Sequence, residues 1–198
     1  HDEYHWYENE GGLNFTGHKM IFYSNVILDG EILGFIDYDK DGDKDLIFKD
    51  DDSNTSLQIC INDGNTFEIR NILNISSLTV DYNNPISYQT IDWNKDGWDE
   101  LYADGHILDF DSTGNLTEKK LTTVKAYYDT DWSKVYDLDM DGDYDILQED
   151  SIYYNDGNDN FTSVTQSVYK LLNDGGYQKV IDFDGDNDLD ILAVSTTL

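Results

Sequence analysis

The sequence predicts an all-β chain, a β-propeller built from four repeats of about four antiparallel strands with Asp-rich loops between strands. Three observations predict it. An acidic ten-residue segment recurs four times, at Asp37–Leu46, Asp92–Leu101, Asp137–Ile146 and Asp182–Ile191, with starts 55, 45 and 45 residues apart. A second element keeps step with the first: an apolar strand, Asn or Asp, a turn, then an aromatic residue or leucine. Finally, the flanks of the acidic segments are short and β-branched or aromatic, and no window carries a helical period over 11 or more residues.

The upstream strands read Ile32-Leu33-Gly34-Phe35-Ile36 and Lys179-Val180-Ile181, and the downstream ones Leu46-Ile47-Phe48 and Ile191-Leu192-Ala193-Val194. The second element runs from Tyr7-Glu8-Asn9 to Phe15, Cys60-Ile61-Asn62 to Phe67, Ile107-Leu108-Asp109 to Leu116, and Tyr153-Tyr154-Asn155 to Phe161. Asn62-Asp63-Gly64 and Asn155-Asp156-Gly157 are hairpin-turn sequences. A repeat of 45 to 55 residues has the length of one propeller blade. The ten extra residues of the first interval are assigned to an insertion around Asp81–Pro85, which holds the single proline. Residues 1–198 are read as one repeat domain.

Composition narrows the function. With 42 acidic and 12 basic residues, the formal charge is −30, which excludes the basic face of a nucleic-acid binder and disfavours an anionic membrane surface. No apolar run is long enough for membrane insertion. Disorder is excluded by 8 Phe, 4 Trp and 15 Tyr beside one proline. The lone Cys60, in Leu57-Gln58-Ile59-Cys60-Ile61, reads as a packed small hydrophobe. The opening His1-Asp2-Glu3-Tyr4 has no signal-peptide pattern.

The acidic loops (37–45, 92–100, 137–145 and 182–190) are predicted metal sites. Counting from the first residue, positions one, three, five and nine carry Asp37, Asp39, Asp41 and Asp45; Asp92, Asn94, Asp96 and Glu100; Asp137, Asp139, Asp141 and Asp145; and Asp182, Asp184, Asp186 and Asp190. Position seven, occupied by Asp43, Trp98, Asp143 and Asp188, offers its backbone carbonyl. Carboxylates packed this closely repel unless a cation sits among them. An all-oxygen, flexible donor set suits Ca²⁺, up to four ions; Mg²⁺ keeps its waters, and the loops hold no His or Cys for zinc. Position six must bend with positive φ, hence Gly42, Gly97 and Gly142, and Asn187 as the tolerated alternative. The second loop, with Asn94 and Trp98, is expected to bind weakest. An EF-hand is excluded, because position twelve is Phe48, Ala103, Gln148 or Ala193 rather than glutamate, and a strand follows instead of a helix.

These Asp-x-Asp-x-Asp-Gly loops, alternating with the Trp6-Tyr7-Glu8-Asn9 strand and its Gly-x-x-x-Phe tail, resemble the FG-GAP/VCBS repeats of integrin α-chain-type calcium-binding propellers. The resemblance covers essentially the whole chain. It implies structural Ca²⁺ on blade hairpins, with Asp37, Asp39, Asp41 and Asp45 as first-site ligands and the corresponding positions in the other loops. Family propellers usually have seven blades, and four repeats leave three arrangements open. The N-terminal strand completes the last blade of its own chain, which is favoured; it completes a neighbour's blade; or the chain is part of a longer propeller.

Sites of this type need calcium on the order of 10⁻⁴–10⁻³ M, which points to a secreted or cell-surface protein. Five Asn-x-Ser/Thr sequons, at Asn14, Asn54, Asn74, Asn115 and Asn160, agree with that, although Asn14, Asn115 and Asn160 share one repeat position. The expected function is binding or adhesion, with a carbohydrate or an extracellular protein as partner. Trp93, Trp98 and Trp132 can stack on sugar rings or pack blades. The alternatives are a structural subunit that self-associates through terminal strands, and a part, catalytic or not, of a polysaccharide-degrading lyase or hydrolase. His1, His5, His18 and His106 have no catalytic spacing, and His106 shares a column with Trp6, Ile59 and Ile152. No catalytic residue is assigned, and the chain is not expected to be an enzyme.

Overall fold

A computed structural model describes residues 4–21, 30–50, 56–64, 66–74, 88–103, 105–111, 115–121, 133–148, 151–164 and 178–193. The described residues are all-β, arranged as several small antiparallel sheets. The strands are β1 (His5–Gly11), β2 (Asn14–Lys19), β3 (Gly30–Ile36), β4 (Asp45–Asp50), β5 (Ser56–Asn62), β6 (Phe67–Asn74), β7 (Tyr88–Ile91), β8 (Glu100–Ala103), β9 (His106–Phe110), β10 (Leu116–Lys120), β11 (Lys134–Tyr136), β12 (Asp145–Gln148), β13 (Ser151–Asn155), β14 (Phe161–Val164), β15 (Gln178–Ile181) and β16 (Asp190–Ala193). Three sheets are four-stranded meanders, β3-β4-β5-β6, β7-β8-β9-β10 and β11-β12-β13-β14. Two sheets, β1-β2 and β15-β16, have two strands each, so the described strands do not join into the closed propeller ring that the repeats predicted. No helix among the described residues is long and apolar enough to cross a membrane.

Both repeated sequence elements have structural counterparts. Each acidic loop joins the first strand of a sheet to the second, and position nine opens that second strand. The strand–turn–aromatic element is the outer hairpin: Asn9 pairs with Phe15, Asn62 with Phe67 and Asn155 with Phe161. A side chain locks each turn. Asn62 Oδ1 accepts the Gly64 amide at 3.1 Å, and Asn9 Oδ1 the Gly11 amide at 2.9 Å. Asn115 and Asn160 donate their side-chain amides to Asp111 and Asp156 (2.9 and 3.0 Å), which gives these two residues of the shared sequon position a turn-closing role. The proposed insertion at 81–85 lies outside the described residues, as do Asn54, Trp132 and His1.

The chain divides into two compact units. The first comprises residues 1–82, 90–101 and 109–117, and the second residues 83–89, 102–108 and 118–198. In the first unit, Leu46, Phe48 and Cys60 form a core on which Tyr4, Met20, Phe67 and Ile69 pack. Burial pushes the Cys60 thiol up to about 12, so it is the inert packed group its neighbours predicted. The β1-β2 hairpin is tied down by Met20 N–H to Tyr4 O and by Phe67 N–H to Ile21 O, both 2.9 Å. In the second unit, the Gln89 amide bonds both the Val135 N–H and the Val135 C=O at 3.0 Å, standing in for a strand partner. Tyr102 and Ser133 share a buried hydroxyl hydrogen bond in the same unit.

Candidate functional site

Each acidic loop is knitted by its own carboxylates. Position one accepts the amides that close the turn: Asp37 takes those of Asp41 and Gly42 at 3.0 Å, Asp92 that of Gly97 at 3.0 Å, and Asp182 those of Gly185 and Asn187 at 2.7 and 3.1 Å. Position three accepts from position five: Asn94 from Asp96, Asp139 from Asp141 and Asp184 from Asp186. Position five in turn accepts from position seven, in the pairs Asp41–Asp43, Asp96–Trp98, Asp141–Asp143 and Asp186–Asp188. These short-range bonds curl successive carboxylates toward one centre.

Position six has positive φ in all four loops: 101° at Gly42, 94° at Gly97, 96° at Gly142 and 74° at Asn187. Position four is also left-handed, which the sequence reading missed: 60° at Lys40, 59° at Lys95, 59° at Met140 and 82° at Gly185. Every loop therefore has two left-handed residues. Three loops place glycine at the second of them; the fourth places it at the first and puts Asn187, a residue tolerated at positive φ, at the second.

Three trios of carboxylates bring ligand atoms within 4.8 Å of one another: Asp37, Asp39 and Asp41; Asp137, Asp139 and Asp145; Asp182, Asp184 and Asp190. Among the described residues the second loop forms no such trio. Asn94 supplies one oxygen without charge, and Glu100 is occupied by the Trp93 amide at 2.7 Å and the Asn94 side-chain amide at 3.2 Å. The donor set of the third loop fits a hard divalent cation, because Asp137 Oδ1 is buried with no hydrogen-bond partner among the described residues.

Position nine does a second job. Asp45 is fully buried, and its two oxygens accept the Tyr38 and Asn62 amides, each at 2.7 Å. Asp145 does the same with Leu138 and Asn155 at 2.8 and 2.9 Å. The carboxylate thus ties its loop to the third strand of the sheet. Burial raises Asp45 from 3.8 to about 6 and Glu100 from 4.5 to about 7, against the lowering effect of their backbone bonds. Asp145 is raised for the same reason, and Asp188 is raised by the neighbouring Asp186 charge. Position seven faces the outer hairpin, and a Cβ at Gly157 would collide with the Asp143 carboxylate. The Asn-Asp-Gly turn thus needs glycine for packing against the loop as well as for its φ of 77°.

A groove of about 370 Å³ lies in the first unit between the β1-β2 hairpin and the β3-β6 sheet. Trp6, Phe35 and Ile32 give it exposed apolar walls, and Lys19, Lys44 and Asn62 give it polar atoms. Lys44 Nζ sits 2.6 Å from Asp99, and Trp6 stacks on His18 with ring centroids 4.3 Å apart. The candidate sugar-stacking residue Trp98 instead lies under the Lys40 ammonium, 5.1 Å from the ring centroid, and the amide of Trp93 is bound to Glu100. Two His–carboxylate contacts escaped the spacing search: His18 Nε2 to Glu8 at 3.1 Å, and His106 Nδ1 to Glu118 at 2.8 Å. His106 is buried, like Ile59 and Ile152 in its column.

No protein-family model matches the chain, and a comparison with curated proteins gives no match. Among solved structures, the chain is similar to a lectin of Agrocybe aegerita described as recognising non-reducing terminal N-acetylglucosamine, at 15% identity and a TM-score of 0.63. The match covers 91% of this chain and 52% of the lectin, so the chain spans about half the length of that protein. At this identity the likeness concerns the fold.

Proposed function

We propose that the chain is a calcium-stabilised, non-catalytic binding module of β-propeller type, related to the FG-GAP/VCBS repeats, that recognises a carbohydrate outside the cell or at its surface. The observation that carries the calcium reading is the convergence of three carboxylate trios, with a buried Asp137 oxygen that no donor among the described residues reaches. In this reading, calcium supplies the charge that lets positions one, three, five and nine stay ionised together. The protein's own part is to shape the cage by the amide bonds described above and to anchor it to the sheet through position nine.

The carbohydrate reading rests on the groove beside the first loop and on the fold likeness to a lectin. Trp6 and Phe35 offer ring faces for the apolar side of a sugar, while Asn62 and the lysines offer donors for its hydroxyls. The test is a glycan array that includes chains ending in N-acetylglucosamine, probed in 1 mM calcium and in EDTA. Retention on defined glycans in calcium, lost in Trp6→Ala, is expected. Binding to no glycan in either buffer refutes the carbohydrate reading and leaves the calcium reading to isothermal calorimetry.

A further inference from the structure

The groove of the first unit differs in charge from the rest of the chain. The sequence holds 42 acidic residues against 12 lysines and arginines. Among the described residues that line the groove, Lys19 and Lys44 are cations, His5 adds a ring nitrogen, and none is Asp or Glu. A lining drawn at the chain's own composition would hold acids in excess of bases. This one reverses the sign.

Two acids beside the groove are turned to partners of their own. Asp99, which does not line it, accepts the Lys44 ammonium at 2.6 Å. That bond fixes the ammonium and uses one of its three donors. Glu8, also outside the lining, meets His18 Nε2 at 3.1 Å. His5 stands opposite Lys19 in the β1-β2 register, which puts a further nitrogen beside the Lys19 ammonium. His18 covers one face of Trp6, at a centroid separation of 4.3 Å, and so leaves the other face for a ring. Across the groove, Phe35 and Ile32 are exposed.

We propose that the groove takes a sugar bearing an anionic group, a uronate carboxylate or a sulfate ester, with the ring on Trp6 or Phe35 and the anion on the Lys19 and Lys44 ammoniums. This rests on the carbohydrate reading given above and narrows it to a ligand class. Such a sugar carries its charge at the rim of the ring and C–H groups on its face, so one residue can meet an ammonium and an aromatic plane together. A wholly apolar ligand would desolvate the ammoniums without pairing them. A neutral sugar would gain no charge-assisted hydrogen bond. The formal charge of −30 repels any anion at a distance, and physiological salt confines that repulsion to about 8 Å. Selection is therefore made by contact inside the groove and not by long-range attraction.

The test is calorimetry, in 1 mM calcium and 150 mM salt, with tetramers of glucuronate, galacturonate and mannuronate, their carboxyl-reduced forms, and the sulfate esters of those reduced forms at the same carbon. At least one charged tetramer should bind about 10- to 100-fold more tightly than its uncharged counterpart, and whether it is a uronate or a sulfate identifies the anion. Lys19→Gln should remove most of that difference, and Lys19→Arg should keep it. Equal affinity for charged and uncharged tetramers overturns the proposal and leaves the carbohydrate reading standing. So does an undiminished preference in the Lys19→Gln/Lys44→Gln double variant. Displacement by polyglutamate as effective as by a free charged tetramer also overturns it, because charge alone would then suffice. Binding to no tetramer overturns it too, and the glycan array then decides separately whether the groove takes any sugar. The comparison of charged with uncharged tetramers uses the unmodified chain, so it decides even where a substitution disturbs the hairpin.

Discussion

Asp45 is the position where the structural and metal-binding roles of an acidic loop can be separated. Its carboxylate is fully buried and satisfies two backbone amides, Tyr38 on the loop side and Asn62 on the third strand. Asp45→Ala leaves both donors buried without an acceptor, at about 1–3 kcal/mol each. In EDTA at pH 5 the carboxyl is largely protonated, because burial holds it near 6, so no relief from buried charge offsets the loss. The expected cost there is about 2–5 kcal/mol, or roughly 5–15 °C in melting temperature for a chain of this size. Asp45→Asn retains one acceptor and no charge, and should stay close to the wild type under the same conditions. At pH 7.5 in EDTA, Asp45→Asn should equal or exceed the wild type, which must then ionise a buried acid at a cost of about 3 kcal/mol. Added calcium should reverse that order. Thermal melts followed by circular dichroism, in EDTA and in 1 mM calcium at both pH values, read all of this. Identical melts for Asp45→Ala and Asp45→Asn in EDTA, or a loss in Asp45→Ala confined to calcium, would refute the reasoning.

Chelation of the wild type should lower the melting temperature substantially, since each well-occupied site contributes a few kcal/mol by linkage and the bare carboxylates repel; an EDTA-insensitive melt contradicts it. The apoprotein should gain stability on acidification, because raised carboxyl values mean that the folded state binds more protons than the unfolded one. That contribution is complete below about 4 and is lost as pH rises through 3.8 to about 6 for Asp45 and through 4.5 to about 7 for Glu100. Asp139→Ala should cost more stability in calcium than Asn94→Ala, because Asp139 belongs to a carboxylate trio and Asn94 to none; matched melts rank them.

What the sequence made legible was local chemistry repeated in register. The loops, their position-six bend and the Asn-to-Phe hairpins each depend on residues within ten positions of one another, and four copies separate that signal from coincidence. What it hid depends on pairing across the sheet. Nothing within the loop distinguishes Asp45 from Asp41, yet the first is sealed under the third strand by the Asn62 amide and the second is exposed. The Gln89 bond pair to Val135 spans 46 residues, and the contacts of His18 and His106 with carboxylates exist only once hairpins bring together residues 10 and 12 positions apart. Position four was missed for a different reason: Lys40, Lys95 and Met140 have none of the side-chain signals of left-handed backbone, and only Gly185 in the fourth copy betrays the requirement.

The position-nine acid joins these two levels. It belongs to the loop by spacing and to the sheet by hydrogen bonding, so any cation held by positions one, three and five is coupled through it to the strand that follows. The third repeat shows both ends of that coupling, since Asp145 lies in a trio with Asp137 and Asp139 and accepts the third-strand Asn155 amide at 2.9 Å. Calcium at the third loop should therefore depend on the position-nine acid, because the Asn155 amide fixes the carboxylate that the ion also needs. Calcium titrations of wild type and Asp145→Asn by calorimetry check this: the variant should lose affinity at one site and keep the others. An unchanged isotherm would show that the position-nine acid serves the sheet alone.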